Sequence, residues 1–381
     1  MQIKTKLPKV GTTIFSVMSQ LAAQHKAINL GQGFPDFDGP QALRDALTAA
    51  MNTGKNQYAP MTGVPALREQ IARKTESLHG HKVSVDNEIT VTSGATEAIF
   101  AAIAAVVHAG EEVIVLDPCY DCYEPAIELA GARAVHIPLT LPDFSVDWQR
   151  VRDAVNAKTR MIMINSPHNP SGAVLDRDDL DALVEIVRGT EIFVLSDEVY
   201  EHIIFDGFEH QSVLRHPELA ARSFVISSFG KTYHCTGWKV GYCIAPPALS
   251  AEFRKVHQYL TFCTFSPAQW AFADVLDRHP EHYLDLPAFY QAKRDCLREL
   301  LKPSKFRLLP VKGSYFQVVD YSAISRDDDL TFCEWLAREG GVAAIPVSAF
   351  YETAPDAHLI RLCFAKSEET LTAAAQRLCS L

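Results

Sequence analysis

The sequence has no long hydrophobic run and no excess of basic residues. Its most apolar stretch, Ala98 to Val107, is about half of the ~20 residues that a membrane-spanning helix needs. Lysine and arginine number 36 against 46 aspartates and glutamates, which gives a formal net charge of −10. This balance argues against general affinity for nucleic acids or anionic membranes, so we expect neither as a partner.

The N-terminus lacks the apolar region of a signal peptide, and the nine cysteines do not resemble a disulfide framework. Such frameworks are typical of short secreted chains, whereas this chain has 381 residues and an odd cysteine count. We therefore expect reduced thiols and a cytoplasmic protein. Cys119 and Cys122 have metal-ligand spacing, but no second pair accompanies them, so we expect no metal site.

From about Ile89 to Ala245 the chain alternates short apolar runs with helical patterns. Continuous Val, Ile and Leu runs separated by helices are typical of buried parallel strands. The pattern predicts an α/β fold with a central, mostly parallel seven-stranded sheet. The seven runs are Ile89–Thr92, Val113–Leu116, Ala134–Ile137, Met161–Ile164, Ile192–Leu195, Phe224–Ile226 and Val240–Ile244.

The two ends of the chain predict a smaller α+β domain. Amphipathic helical patterns lie near each end, and a strand is expected over Val342–Ile345 and another over Leu359–Cys363. We predict that residues 1–40 form an N-terminal arm and part of the small domain. Residues 41–278 are expected to form the large domain, and residues 279–381 the rest of the small one.

Polar residues follow four of the predicted strands. Because ligands in open parallel sheets bind beyond the carboxyl ends of the strands, these residues are expected to surround one site. The segments are Asp117–Tyr120, Asn165–Gly172, Ser196–Tyr200 and Ser227–Thr232.

Taken together, these segments resemble the fold-type I aminotransferases, which use pyridoxal phosphate. The resemblance covers essentially the whole chain and is strongest with the branch that holds the kynurenine aminotransferases (also called cysteine-conjugate β-lyases). Within that branch the chain most resembles the bacterial methionine aminotransferases. It implies transfer of the amino group of methionine, or of an aromatic amino acid, to a 2-oxo acid. The segments that carry it are Gly31–Phe37, Asn56–Pro60, Asn165–Pro170, Ser196–Tyr200, Ser228–Thr232 and Thr236–Tyr242.

The resemblance implies catalytic roles for Lys231, Asp197 and Tyr200. Lys231 would form a Schiff base with the cofactor and then carry a proton between the substrate α-carbon and the cofactor. Asp197 would keep the cofactor ring nitrogen protonated, as an electron sink requires. Asn169 and Tyr200 would contact the phenolic oxygen, and Tyr120 would stack on the ring.

The cofactor phosphate is expected at the start of the helix opened by Gly94, Ala95 and Thr96. Free N–H groups and the helix dipole favour an anion there. By the same resemblance, Ser228 and Lys239 would complete the phosphate site. Many family members have arginine in place of Lys239, and lysine keeps the charge without the bidentate geometry.

Four residues are expected to bind substrate: Gly33, Asn169, Arg361 and Phe15. Arg361 lies in an apolar run, and a buried arginine needs an anionic partner such as a substrate α-carboxylate. Phe15 matches an aromatic residue of the substrate pocket, although a core role is open. Tyr58 matches a tyrosine that reaches the neighbouring subunit's phosphate, which implies a homodimer with shared active sites; a local loop role is the alternative.

Alternatives within and outside this family remain open. β-Elimination from cysteine conjugates would use the same Lys231. A ligand-sensing regulator would carry an N-terminal DNA-binding domain, which we do not expect because the match begins near residue 10. We identify no second arginine for a dicarboxylate side chain, so aspartate is expected to be a poor substrate. Phe262 and Phe265 are further pocket candidates.

Overall fold

The structure is a computed structural model that describes residues 3–381. Its helices are α1 (Ile14–His25), α2 (Gln41–Asn52), α3 (Pro65–His79), α4 (Ala95–Val106), α5 (Tyr123–Leu129), α6 (Trp148–Ala154), α7 (Arg177–Val187), α8 (Pro217–Ala220), α9 (Phe229–Thr232), α10 (Pro247–Leu260), α11 (Ser266–Arg278), α12 (Glu281–Leu284), α13 (Leu286–Leu300), α14 (Asp329–Arg338) and α15 (Glu368–Leu378). Its strands are β1 (Ile28–Asn29), β2 (Ile89–Thr92), β3 (Glu112–Asp117), β4 (Arg133–Pro138), β5 (Thr159–Asn165), β6 (Phe193–Asp197), β7 (Ser223–Ser228), β8 (Gly241–Ile244), β9 (Arg307–Leu308), β10 (Phe316–Asp320), β11 (Val342–Ala343), β12 (Ile345–Pro346) and β13 (Leu359–Cys363).

A seven-stranded sheet forms the centre of the molecule, in the order β2-β8-β7-β6-β5-β3-β4. Each predicted strand lies within two residues of its observed bounds, and the α/β fold with a mostly parallel sheet is confirmed. The strand β8 is the exception to the parallel arrangement, because it pairs antiparallel with both β2 and β7. The carboxyl ends of β2, β3, β5, β6 and β7 therefore share one edge.

Helices cover both faces of this sheet, which explains the continuous apolar runs. All six residues of β3 are buried. Neighbouring residues of β6 point to opposite faces, as the strand pleat requires: Val194 joins the cluster that contains Phe272, and Leu195 joins the cluster under α4. Helix α4 packs closely there because small and branched side chains such as Ala98 and Ile103 are fully buried.

A second, four-stranded antiparallel sheet has the order β12-β13-β10-β9, and β1 pairs with β11 in parallel. Residues from both ends of the chain share one apolar cluster around it, including Met18, Leu336 and Leu371. The predicted strand over Val342–Ile345 is divided, because β11 pairs with β1 while β12 pairs with β13. The boundaries proposed for the two domains stay a prediction.

No helix within residues 3–381 is long and apolar enough to cross a membrane.

Candidate active site

A cavity of about 340 Å³ lies beyond the carboxyl ends of the central strands, between the N-terminus of α4 and the strand β13. Every residue proposed from the sequence for the site lines this cavity, except Tyr58 and the further pocket candidates Phe262 and Phe265. Those lining residues are Phe15, Gly33, Gly94, Ala95, Thr96, Tyr120, Asn169, Asp197, Tyr200, Ser228, Lys231, Lys239 and Arg361.

Lys231 reaches the cavity from the short helix α9, which begins immediately after β7. The Ser228 hydroxyl caps this helix by accepting the Gly230 N–H at 3.1 Å. The Lys231 Nζ donates to the Gly33 carbonyl oxygen at 3.1 Å. Burial lowers the pKa of the Lys231 amine to about 8. An amine with such a pKa is partly neutral near physiological pH, so it can attack a carbonyl carbon or carry a proton.

Asp197 lies at the end of β6, and its carboxylate is buried. The Tyr123 hydroxyl donates to Oδ2 at 2.6 Å, and the Val199 N–H donates to Oδ1 at 3.3 Å. Burial raises the pKa of the Asp197 carboxyl to about 6, although these hydrogen bonds oppose the shift. Within residues 3–381 no cationic side chain forms an ion pair with it. Such a carboxylate suits a cationic ligand atom, for example a protonated ring nitrogen.

The N-terminus of α4 forms the opposite part of the cavity. Gly94 is its N-cap, has a φ of +80° and supplies no side-chain cap. The first N–H groups of the helix, at Ala95 and Thr96, have no acceptor within the helix. A Cβ on Gly94 would lie 3.1 Å from Lys239 Cε and 3.2 Å from Lys239 Nζ. The lysine ammonium therefore lies against the helix start, and with the Ser228 hydroxyl this donor set fits a phosphate group.

Arg361 is 1% exposed on β13, with its guanidinium in the cavity wall. Its Nη1 donates to Asn169 Oδ1 at 2.7 Å, and its Nη2 donates to the Gly31 carbonyl oxygen at 2.9 Å. Its buried Nε has no hydrogen-bond partner among the residues that the structure describes. No carboxylate among residues 3–381 forms a salt bridge with it, and burial lowers the pKa of the guanidinium. A carboxylate ligand would satisfy both the charge and the free donor.

Three phenylalanines surround this guanidinium. Its central carbon lies 3.9 Å from the centre of the Phe316 ring, 5.3 Å from Phe15 and 5.2 Å from Phe350. Cation–π attraction stabilises a positive charge in this setting, and the three rings keep water away from it. Phe15, which the resemblance places in the substrate pocket, therefore packs against Arg361.

Gly33 and Tyr200 also line the cavity. The Gly33 carbonyl accepts hydrogen bonds from Lys231 and from the Tyr315 hydroxyl. A Cβ on Gly33 would come within 2.8 Å of Phe316 Cζ, so glycine permits the close approach of this turn to β10. The Tyr200 ring is buried and lies edge-on to Tyr315, with centroids 5.1 Å apart.

Sequence reasoning missed four residues that shape the site: Tyr123, Tyr315, Phe316 and Phe350. Tyr123 is the first residue of α5, three positions after the predicted site residue Tyr120, and this nearness in sequence is a usable signal. Tyr315 and Phe316 gave none, because their proximity to Arg361 depends on the pairing of β10 with β13.

Tyr58, Phe262 and Phe265 do not line the cavity of their own chain. Tyr58 is 82% exposed and packs edge-on against Phe262, with ring centroids 5.3 Å apart. Phe265 is exposed as well, like the neighbouring Tyr259. Tyr58 and Phe262 are in contact, and Tyr259 and Phe265 are exposed side chains three positions before and after Phe262 in the sequence. We refer to these four side chains as the exposed aromatic surface.

A reactive lysine, a buried carboxylate and a phosphate-type anion site around one cavity are the features of an enzyme that holds a phosphorylated carbonyl cofactor. The model of the family "Aminotransferase class I and II" matches residues 25–378. The chain belongs to this family, and it is an aminotransferase that depends on pyridoxal phosphate.

Several members of the family are similar along their whole length. The methionine aminotransferase of Escherichia coli K12 is 57% identical over 98% of this chain and 97% of its own. The crystal structure of Escherichia coli YbdL, for which a methionine aminotransferase function was identified, has a TM-score of 0.98 and 56% identity over 100% of both chains. Human kynurenine–oxoglutarate transaminase 1 is 32% identical over 94% of this chain and 93% of its own.

The contact between Tyr123 and Asp197 gives a direct prediction. In Tyr123→Phe the ring is kept and the donor to the carboxylate is lost, so the pKa of Asp197 should rise by about one unit. Carbon-13 NMR of the aspartate carboxyls, in protein freed of cofactor, measures this shift. Tyr120→Phe is the matched control, and an Asp197 titration unchanged in Tyr123→Phe would contradict the assigned hydrogen bond.

Proposed function

We propose that this aminotransferase moves the amino group of methionine, or of an amino acid with a similarly apolar side chain, to a 2-oxo acid. The observation that carries the proposal is the buried Arg361, which is enclosed by phenylalanine rings and has no carboxylate partner in the described part of the chain. It offers a bidentate site for an α-carboxylate beside an apolar wall. The 57% identity with the Escherichia coli methionine aminotransferase supports methionine as the donor.

The charges of the cavity support an uncharged substrate side chain. The cationic residues that line it are Lys231, Lys239 and Arg361. In the roles proposed here these three serve the cofactor carbonyl, the phosphate and the α-carboxylate. No further cation in the lining could pair with a second carboxylate. Aspartate is therefore a poor donor in this proposal, while Phe15, Phe34 and Ile99 offer apolar contacts to a thioether or an aromatic ring.

For the cofactor we propose the residues that the cavity brings together. Pyridoxal phosphate, when bound, supplies a reactive carbonyl carbon and a ring that withdraws electrons from the substrate α-carbon. Lys231 would be the covalent attachment point, and Asp197 would bind the ring nitrogen. Asn169 and Tyr200 would bind the phenolic oxygen, and Tyr120 would pack on the ring. Gly94, Ala95, Thr96, Ser228 and Lys239 would hold the phosphate.

In the proposed reaction the chain's own residues hold the substrate and move one proton. Arg361 and Asn169 orient the α-carboxylate and so present the α-hydrogen to Lys231. The Lys231 Nζ, once neutral, takes that proton and returns it to the cofactor side. The Gly33 carbonyl oxygen accepts a hydrogen bond from Nζ at 3.1 Å and so helps to hold Nζ in the cavity. Because donor and acceptor use one site in turn, the kinetics should be ping-pong.

We further propose a cytoplasmic homodimer with shared active sites. The exposed aromatic surface around Tyr58 supports it, since clustered exposed aromatics mark interaction surfaces. A second copy bound there would let Tyr58 reach the partner's phosphate site. The nine free cysteines are compatible with a reducing compartment. In this proposal residues 41–278 form the large domain, and residues 1–40 and 279–381 the small one.

The first prediction from this proposed function concerns the amino donor. With methionine as the amino donor, the purified enzyme should convert the acceptor 2-oxo acid to its amino acid faster than with aspartate. Lys231→Ala should lose this activity together with the visible absorbance of the bound cofactor. Chromatography of the products and an absorbance spectrum measure both. Lys302→Ala, at an exposed lysine, is the control. Preferred turnover of aspartate, or faster release of ammonia and pyruvate from a cysteine conjugate, would contradict the proposal.

The second prediction concerns Arg361. Arg361→Lys keeps the charge but removes the bidentate fork, so kcat/KM for methionine should fall by about two to three decades. The decarboxylated amine of methionine lacks the carboxylate, so its slow turnover should be the same in both proteins. Equal losses with both substrates would show that Arg361 supports the fold and does not bind the carboxylate.

The third prediction concerns the dimer. Light scattering should give twice the chain mass for the wild type and for Tyr58→Phe. The variant should bind the cofactor more weakly, because it loses the hydroxyl that would contact the partner's phosphate. Tyr259→Phe, on the same exposed surface, should bind it normally. A fully active monomer would rule out shared active sites.

A further inference from the structure

A second cluster of titratable groups lies where the central sheet meets the C-terminal part of the chain. His136, on β4, has a side chain that is 10% exposed. Its Nδ1 lies 2.8 Å from Asp117 Oδ1, and its Nε2 lies 3.1 Å from Glu352 Oε2. A neutral imidazole carries one N–H, so one ring nitrogen would face a carboxylate with a lone pair. The imidazolium has two N–H donors. Its Nδ1 can donate to Asp117, whereas its Nε2 forms an ion pair with Glu352 but has no well-oriented hydrogen-bond acceptor among the described residues.

The cluster joins two separate parts of the chain. Asp117 and His136 lie on the adjacent strands β3 and β4, whereas Glu352 lies in the segment before β13. The Glu352 N–H also donates to Asp117 Oδ2 at 3.0 Å, and the Cys119 N–H donates to the Phe350 carbonyl oxygen at 2.7 Å. The segment 350–352 is therefore fixed against the ends of the two strands.

A lysine completes the cluster from outside. Lys9 Nζ lies 3.3 Å from Glu124 Oε1 and 3.4 Å from Glu352 Oε1. The ligand atoms of Glu124, His136 and Glu352 lie within 4.8 Å of one another, a spacing that could also suit a metal ion. The Lys9 ammonium and a His136 imidazolium together offset the charge of the two glutamates.

The segment that the cluster fixes carries a wall of the carboxylate site. The Phe350 ring lies 5.2 Å from the Arg361 guanidinium carbon, and its centroid lies 5.8 Å from that of Phe15. Any loosening of the 350–352 segment would therefore displace a ring that keeps water from Arg361. This contact connects His136 to Arg361 through Glu352 and Phe350.

We propose that His136, as an imidazolium, is a positioning residue for substrate binding: it ties the 350–352 segment to the strand ends and so holds Phe350 against Arg361. The proposal rests on the proposed role of Arg361 as the carboxylate anchor. His136 does not touch the substrate. Its effect should appear in KM and leave kcat nearly unchanged.

The pH dependence follows from the charges around the imidazole. Burial alone would lower the pKa of His136, but Asp117, Glu124 and Glu352 together raise it above its ordinary value. Beyond the glutamates lies the Lys9 ammonium, and the Cys119 thiol lies beside Asp117. A raised pKa means that the contribution is complete below the ordinary histidine value of 6.5 and is lost as the pH rises through the raised value.

A double-mutant cycle tests whether the contact stabilises the fold. His136→Gln, Glu352→Gln and the double variant, all with cofactor bound, are unfolded with urea at about pH 6 and about pH 9. We expect non-additive shifts of the midpoint at the lower pH and additive shifts at the higher pH. Additive shifts at both pH values would overturn the proposal. This experiment uses no substrate, so a wrong donor assignment would not affect it.

Steady-state kinetics test the link to the substrate site. In the wild type, the KM of the amino donor should rise with pH. At low pH the KM of His136→Gln should be about threefold or more above that of the wild type, and it should change little as the pH rises. His108→Gln, at an exposed histidine paired with Glu111, is the control and should follow the wild type. Parallel KM profiles for His136→Gln and the wild type would overturn the positioning role, even if the unfolding cycle showed coupling.

Discussion

Two opposite charges are buried at one cavity, neither of them with an oppositely charged partner among residues 3–381, and the arrangement of the site depends on them. Burial raises the pKa of Asp197 and lowers that of Arg361, so each group is held in an environment that disfavours its charged form. Hydrogen bonds from Tyr123 and to Asn169 offset part of this cost. The remainder favours a ligand that brings a cation to one end and a carboxylate to the other, which is the charge pattern of cofactor and substrate together.

The two sheets divide this task between them. The central sheet supplies Asp197 at the end of β6 and Lys231 just beyond β7, on strands buried on both faces. The antiparallel sheet supplies Arg361 on β13, facing the cavity beside Phe316 of β10. Gly33 lies between the two, since its carbonyl accepts the Lys231 Nζ while its missing Cβ makes room for Phe316. The site therefore needs both sheets in a fixed relation.

Much of this arrangement could be predicted from the sequence, because strand ends and their polar residues are local features. Asp197 and Lys231 were expected at one edge, and the structure places them there. Long-range pairing could not be predicted. The antiparallel direction of β8, the division of Val342–Ile345 and the position of Phe316 beside Arg361 all depend on which strand pairs with which. The site roles inferred from the family resemblance stay predictions.

The proposed functions of Lys231 and His136 have opposite pH dependences. Lys231, with a pKa of about 8, gains its neutral, proton-accepting form as the pH rises. As the pH rises, His136 loses the positive charge that ties Glu352 to Asp117. The first change favours proton transfer, and the second weakens substrate binding. Because kcat/KM contains both, it should pass through a maximum whose alkaline limb reflects the 350–352 segment as well as the chemistry at Lys231.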